Sequence, residues 1–207
     1  LKKGIFEKKI LNIIRDPIID FKKINLLKKE KIEKKFLKKK YFVSIGRLTH
    51  QKNFLFLTEC LKKIIKEEKK FIFLILGEGH DRKKIEGYIK RFRLSKYIIL
   101  MGYKKNIFKY INNSVGLICS SLWEEPGFII QEAAACKKII LTSDCYTGPS
   151  EFLNHGKSGY VFKNDDQKSF VKNFKKLLTE KKTHKKKISK SFINTKFYTP
   201  NYFKQTK

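Results

Sequence analysis

Five short, almost wholly apolar runs set the narrowest limit on what this chain can fold into. They are Tyr41-Phe-Val-Ser-Ile-Gly46, Phe71-Ile-Phe-Leu-Ile-Leu76, Tyr97-Ile-Ile-Leu-Met101, Val115-Gly-Leu-Ile-Cys119 and Lys138-Ile-Ile-Leu-Thr142. Each is too short for a buried helix and rich in β-formers. Hydrophobicity that is continuous rather than alternating marks strands covered on both faces. The stretches between them have helical character. Phe54 to Lys66 carries Leu55, Leu57, Cys60, Leu61, Ile64 and Ile65 at helical spacing, and Asp81–Arg93, Lys104–Asn112, Phe128–Cys136 and Asp165–Thr179 also read as helices. Strands alternating with helices predict an α/β domain, a Rossmann-like parallel sheet flanked by helices. No internal repeat interrupts the pattern.

The chemistry concentrates after the fourth run, in Ser121-Leu-Trp-Glu-Glu-Pro-Gly-Phe-Ile-Ile-Gln-Glu-Ala-Ala-Ala-Cys136. Pro126 and Gly127 break the strand, and an Ala- and Ile-rich helix starts at Phe128. That order puts the loop at the carboxyl end of a parallel strand, where doubly wound folds bind ligands. The helix N-terminus adds free backbone N–H groups and partial positive charge, suited to an anionic or hydroxyl-rich ligand. Glu124 sits in the loop and Glu132 more than one turn inside the helix, so both carboxylates are placed to flank one cavity. Taken alone, two glutamates at this spacing favour the reading of solvated surface charges.

Bulk properties narrow the class. The chain has 207 residues and 41% hydrophobic content, enough for one sizeable core. No run approaches the ~20 apolar residues of a membrane span, and no signal-peptide pattern opens the sequence. Cys60, Cys119, Cys136 and Cys145 lack metal-ligand spacing and read as reduced thiols of a cytoplasmic protein. A formal net charge of +30 raises a nucleic-acid-binding reading. Only five of the 49 basic residues are arginine, however, and base and phosphate readers rely on the arginine fork. Lysine, isoleucine, asparagine and phenylalanine are abundant together, as an AT-rich coding bias produces. Attraction to anionic membrane surfaces follows from the charge. Gly77-Glu-Gly79 lacks the third glycine of a dinucleotide fingerprint, position 82 being arginine.

Trp-Glu-Glu-Pro-Gly-Phe-Ile-Ile-Gln-Glu-Ala-Ala, with the strand before it and the small-residue helix after it, resembles the Glu-x7-Glu signature of retaining GT-B glycosyltransferases of group 1 (family 4). Gly46-Arg47-Leu48, followed by Lys52-Asn53, is similar to that family's Gly-Arg-Leu-x-x-x-Lys-Asn element. Ser143-Asp-Cys-Tyr-Thr-Gly-Pro-Ser-Glu-Phe-Leu153 is similar to a later segment, with a Gly-x-x-Gly-Tyr-Val-Phe hairpin expected over 154–162. The resemblance runs from Ile10 to Leu178 and implies the C-terminal, donor-binding lobe of a GT-B architecture. Under it, residues 1–40 are a lysine-rich lead-in with a strand near Ile10–Ile14 and a charged helix or linker over 26–40. Residues 41–180 form the nucleotide-sugar domain, and 181–207 a basic, partly helical tail. Lys137-Lys-Ile-Ile stands where the family has Gly-x-Pro-Val-Ile, so the turn there must differ.

The same resemblance implies a UDP-linked sugar donor and a glycan or lipid-linked acceptor for surface-polysaccharide or lipopolysaccharide-type synthesis. Arg47 and Lys52 would hold the diphosphate and Glu132 the ribose. Glu124, with the backbone of Gly127, Phe128 and Ile129, would position the sugar, and backbone at Gly46 and Tyr103 would meet the nucleotide. Leaving-group stabilisation by two cations would stand in for a metal, since no Asp-x-Asp occurs. No metal or cofactor is expected. An N-terminal acceptor lobe is missing from the sequence, which leaves open a remnant that binds nucleotide sugar without transferring it.

Overall fold

The computed structural model describes residues 15–124, 127–145 and 148–205. Its centre is a six-stranded sheet in the order β3-β2-β1-β4-β5-β6, formed by β1 Lys40–Ile45, β2 Phe71–Leu76, β3 Ile98–Gly102, β4 Gly116–Cys119, β5 Ile139–Ser143 and β6 Tyr160–Phe162. Every pairing is parallel, for example Phe42↔Phe73 and Phe42↔Gly116 on the two sides of β1. The helices are α1 Phe21–Leu27, α2 Phe54–Glu67, α3 Arg82–Arg91, α4 Phe108–Asn113, α5 Phe128–Ala135, α6 Pro149–Phe152, α7 Gln167–Thr179, α8 Lys181–Asn194 and α9 Pro200–Gln205.

Alternation along β1 shows why the strands are apolar throughout. Phe42 enters a core with Phe73, Leu141, Leu57 and Phe174, under α2, α3 and α7. Tyr41 and Val43 enter the opposite core with Leu74, Leu117 and Ile130, under α1, α4 and α5. Aromatic rings dominate the first core, with Phe174 between Phe42 at 5.1 Å and Phe73 at 6.0 Å. Gly116 sits where a Cβ would meet Ile139 Cγ2 and the Ile139 carbonyl at 2.6 Å, so β4 and β5 approach closely only because it is glycine.

The boundaries depart from the sequence reading where side chains act on the backbone. The helix expected from Asp165 begins at Gln167. Asp165 is left-handed (φ 53) and Asp166 caps the helix, accepting from Ser169 N at 2.8 Å. The helix expected from Lys104 begins at Phe108, whose N–H donates to Asn106 Oδ1 at 3.0 Å. Of the charged helix or linker expected over 26–40, the structure has the linker: α1 ends at Leu27, and a single 3-10 turn, Lys34–Phe36, follows. The expected hairpin over 154–162 is also corrected. Asn154, His155 and Gly156 all take positive φ, and the chain then enters β6 parallel to β5. The strand expected near Ile10–Ile14 lies outside the described residues.

Lys137 resolves the turn that departs from the family pattern. It takes the left-handed conformation (φ 55), and the N–H groups of Lys137 and Lys138 donate to Ala134 O and Ala133 O. This is the helix-ending geometry usually given to glycine. All four cysteines are buried free thiols. Among the described residues no helix is long and apolar enough to cross a membrane.

Candidate functional site at the strand-order switch

The sheet order reverses between β1 and β4. The chain leaves β1 toward β2 and leaves β4 toward β5, so the two loops diverge and open a crevice beyond the strand ends. Both loops supply charge to it. After β1, the 3-10 turn His50–Lys52 ends at Asn53, which is left-handed (φ 52), a conformation asparagine tolerates. Lys52 is thereby aimed at the β4 loop, where Nζ lies 2.6 and 2.7 Å from the two carboxylate oxygens of Glu124. The Glu124 side chain is only 4% exposed and that of Lys52 17%.

Further bonds lace the loops together. Leu122 N donates to Gln51 O at 2.8 Å, Gln51 Nε2 to Trp123 O at 3.2 Å, and Ser120 Oγ to Lys52 O at 2.9 Å. Glu124 also accepts from Ser121 Oγ at 2.5 Å, and Ser143 Oγ at the end of β5 donates to Ser121 O at 2.6 Å. Gly127 is left-handed (φ 76), and a Cβ there would stand 3.2 Å from the Glu124 Cβ. A side chain at position 127 would thus press on Glu124 just where α5 begins.

Six of the nine sequence-derived residues fall into two groups joined by one glycine. Gly46, Arg47 and Tyr103 line a cavity of about 290 Å³ with Leu76, Gly77 and Ile107, Arg47 being exposed and Tyr103 75% exposed. Lys52, Glu124 and Gly127 form the second group. Gly46 links them, because a Cβ on it would lie 3.2 Å from Lys52 Cγ and Cδ, so the lysine stem crosses directly over it. Two wider hollows, of about 990 and 810 Å³, involve none of Arg47, Lys52 and Glu124. Phe128 is 40% exposed at the start of α5, and Ile129 is half-buried.

Glu132 stands apart electrostatically. It is half-buried on α5 and has neither hydrogen bond nor ion pair among the described residues. Burial alone pushes its carboxyl up to about 7. Burial also raises the thiols of Cys119 and Cys145 beside this loop, the latter to about 11, which makes both poor nucleophiles.

The sequence reading did not single out Gln51, Ser121 and Ser143, which hold Glu124 and its loop. A serine pair ending a strand was the available signal, but Ser120 meets carbonyls of the loop after β1 and Ser121 is met by Ser143 at the end of β5, neighbours that the sequence does not place.

The family model of glycosyl transferases group 1 matches residues 27–192, most of the chain. The chain belongs to the group 1 glycosyl transferases. It is 32% identical over 140 residues to an uncharacterised glycosyltransferase of Methanocaldococcus jannaschii, a match covering 66% of this chain and 34% of that protein. It is 26% identical over 162 residues to the N-acetylgalactosamine-N,N'-diacetylbacillosaminyl-diphospho-undecaprenol 4-alpha-N-acetylgalactosaminyltransferase of Campylobacter jejuni, covering 78% and 44%. The chain therefore spans less than half the length of either curated relative. Among solved structures, a TarM crystal structure superposes with a TM-score of 0.74 at 24% identity, over 86% of this chain and 36% of that one. The C-terminal domain of a group 1 family protein, LpcC of Francisella tularensis, gives 0.70 at 20% identity, over 90% and 97%. The fold of this group 1 domain is accordingly the Rossmann-like lobe of GT-B glycosyltransferases, as the sequence resemblance implied.

Proposed function

We propose that this domain is the donor-binding lobe of a retaining glycosyltransferase. It takes a UDP-linked sugar and serves transfer to a glycan or lipid-linked acceptor in surface-glycan synthesis. The observation that carries the reading is the Lys52–Glu124 pair set across the switch-point crevice, with the Arg47 cavity beside it. Support for the UDP assignment comes from proteins of the same fold, including a crystal structure of a single-residue mutant of S. aureus TarM in complex with fondaparinux, alpha-GlcNAc-glycerol and UDP.

The geometry suggests how the parts divide the work. A nucleoside diphosphate entering along the exposed Arg47 brings oxyanions to Lys52, which exchanges one anionic partner for another. Glu124 is then released toward the sugar hydroxyls, held in place by Ser121. The Gly46 and Tyr103 cavity takes the nucleotide, and backbone at Gly127, Phe128 and Ile129 faces the sugar. Glu132 accepts hydrogen bonds from vicinal ribose hydroxyls, the partners it lacks among the described residues. As the glycosidic bond breaks, the sugar gains oxocarbenium character and the departing diphosphate gains charge, which Arg47 and Lys52 offset.

Titration of UDP and several UDP-sugars into the parent, Glu132→Gln and Glu124→Gln tests this division. Glu132→Gln should weaken UDP and UDP-sugars alike, by roughly ten- to a hundredfold for a lost charged hydrogen bond. Glu124→Gln, which frees Lys52 from its competing carboxylate, should leave UDP binding no weaker than the parent's and remove only what the sugar adds. The reverse pattern would exchange the two roles, and no change in either variant would remove both glutamates from the site.

A further inference from the structure

Helix α8 carries a feature that the donor site does not use. Its inner face is fastened to the domain. Lys187 Nζ donates to the carbonyls of Gly156 and Gly159, the latter at 2.8 Å. Asn194 Nδ2 donates to Phe152 O at 2.7 Å, and Ser191 and Thr195 are buried. Lys137, two residues before β5, stands over the Phe192 ring at 4.7 Å. Gly159 immediately precedes β6, so α8 crosses the amino ends of β5 and β6, at the edge of the sheet opposite the donor crevice.

The outer face is of one sign. At 100° per residue, Lys182, Lys185, Lys186, Ser189, Lys190 and Ile193 project to the same side, and all are exposed. No acidic residue occurs between Lys181 and Asn194. Lys181 and Lys182 lie in the first turn, where cations oppose the helix dipole, so this end of α8 is more positive than its lysines alone make it. Ile193, 49% exposed, continues the same face, and Phe197, 41% exposed, follows just beyond the helix. Exposed lysines on one helix face, flanked by an exposed isoleucine and phenylalanine, match a surface that is anionic outside and apolar beneath.

We propose that the outer face of α8 is a docking surface for an anionic lipid bilayer. The lysines engage headgroups, and Ile193 and Phe197 enter the boundary with the acyl chains. A duplex nucleic acid fits this face less well. The face is built of lysine without arginine, and two apolar side chains would lie unsatisfied against phosphates. No donor-site residue takes part, so this proposal stands or falls separately from the UDP reading.

The test uses the full chain, sedimented with vesicles of phosphatidylcholine alone or with a quarter phosphatidylglycerol, at about 150 mM salt so that diffuse attraction is screened. Two variants of equal net charge are compared. One changes Lys182, Lys185, Lys186 and Lys190 to Gln; the other changes Lys63, Lys66, Lys83 and Lys84, exposed lysines of α2 and α3, to Gln. The α8 variant should lose binding to anionic vesicles by at least about tenfold, and the control by no more than about two- or threefold. Ile193→Trp in a Trp123→Phe background should shift its fluorescence to the blue with anionic vesicles only. Equal losses in the two lysine variants, no binding by the parent, or a tryptophan that ignores vesicles would each overturn the proposal. So would tighter binding of a short DNA duplex, abolished by the same α8 changes.

Discussion

Glu132 owes its ionisation to its buried position in the fold. Its folded carboxyl keeps its proton up to about pH 7 because burial disfavours the charge, whereas the unfolded group releases it near 4.5. Below pH 4.5 both states are protonated and the group imposes no penalty on folding. As pH rises from 4.5 through 7, the unfolded state sheds its proton first and the folded state is progressively disfavoured. The size is on the order of 3 kcal/mol, at about 1.4 kcal/mol per unit. Glu132→Gln cannot ionise and should escape this loss. Relative to the parent it should gain about 2–3 kcal/mol between pH 5 and 7.5 in urea unfolding at fixed ionic strength. Parallel pH profiles would show that the carboxyl is solvated after all.

At the scale of elements, the loops after β1 and β4 behave as one unit because Lys52 and Glu124 close it. Removing the cation takes the ammonium partner from a carboxylate that is 4% exposed and leaves its negative charge buried, with Ser121 Oγ among its donors. Lys52→Met should therefore cost about 3–5 kcal/mol, and Lys52→Met with Glu124→Gln clearly less than the two single changes added together. Additive costs in denaturant titrations would mean the pair is not coupled. This contact also marks where sequence reasoning stops. Phe71–Leu76 was legible to the residue, since an unbroken apolar run has little choice but a doubly covered strand. The Glu-x7-Glu loop and the Arg47 turn were legible as a motif. Their contact was not, because it joins residues 72 apart and depends on β4 pairing with β1. Element ends were misplaced for a local reason: Asn106 and Asp166 redirect the backbone through side-chain bonds, and Lys137 adopts a conformation usually left to glycine.

For the molecule as a whole, the dominant unpaired quantity is charge. A net +30 on 207 residues leaves most lysines without a carboxylate to meet. Several ion pairs are exposed, such as Lys175–Glu67 at 2.6 Å, with each side chain at least half exposed, and such pairs contribute little. Folding gathers these like charges into a smaller volume, so the folded state is the more strongly self-repelling one. Sodium chloride shortens the screening length from roughly 20 Å at 20 mM to about 5 Å at 300 mM, which relieves the folded state more than the expanded one. The midpoint of thermal unfolding should accordingly rise by about 3–8 °C over that range, equivalent to ~2 kcal/mol for a domain of this size. A midpoint that stays flat or falls would mean that the paired charges outweigh the unpaired ones. The effect should also be indifferent to place. Neutralising four lysines on α8, or four on α2 and α3, should reduce the salt slope equally, whereas binding to an anionic bilayer should respond to the α8 set alone. Screening acts on the total charge and docking on its arrangement, so the two measurements on the same pair of variants separate a consequence of composition from one of structure.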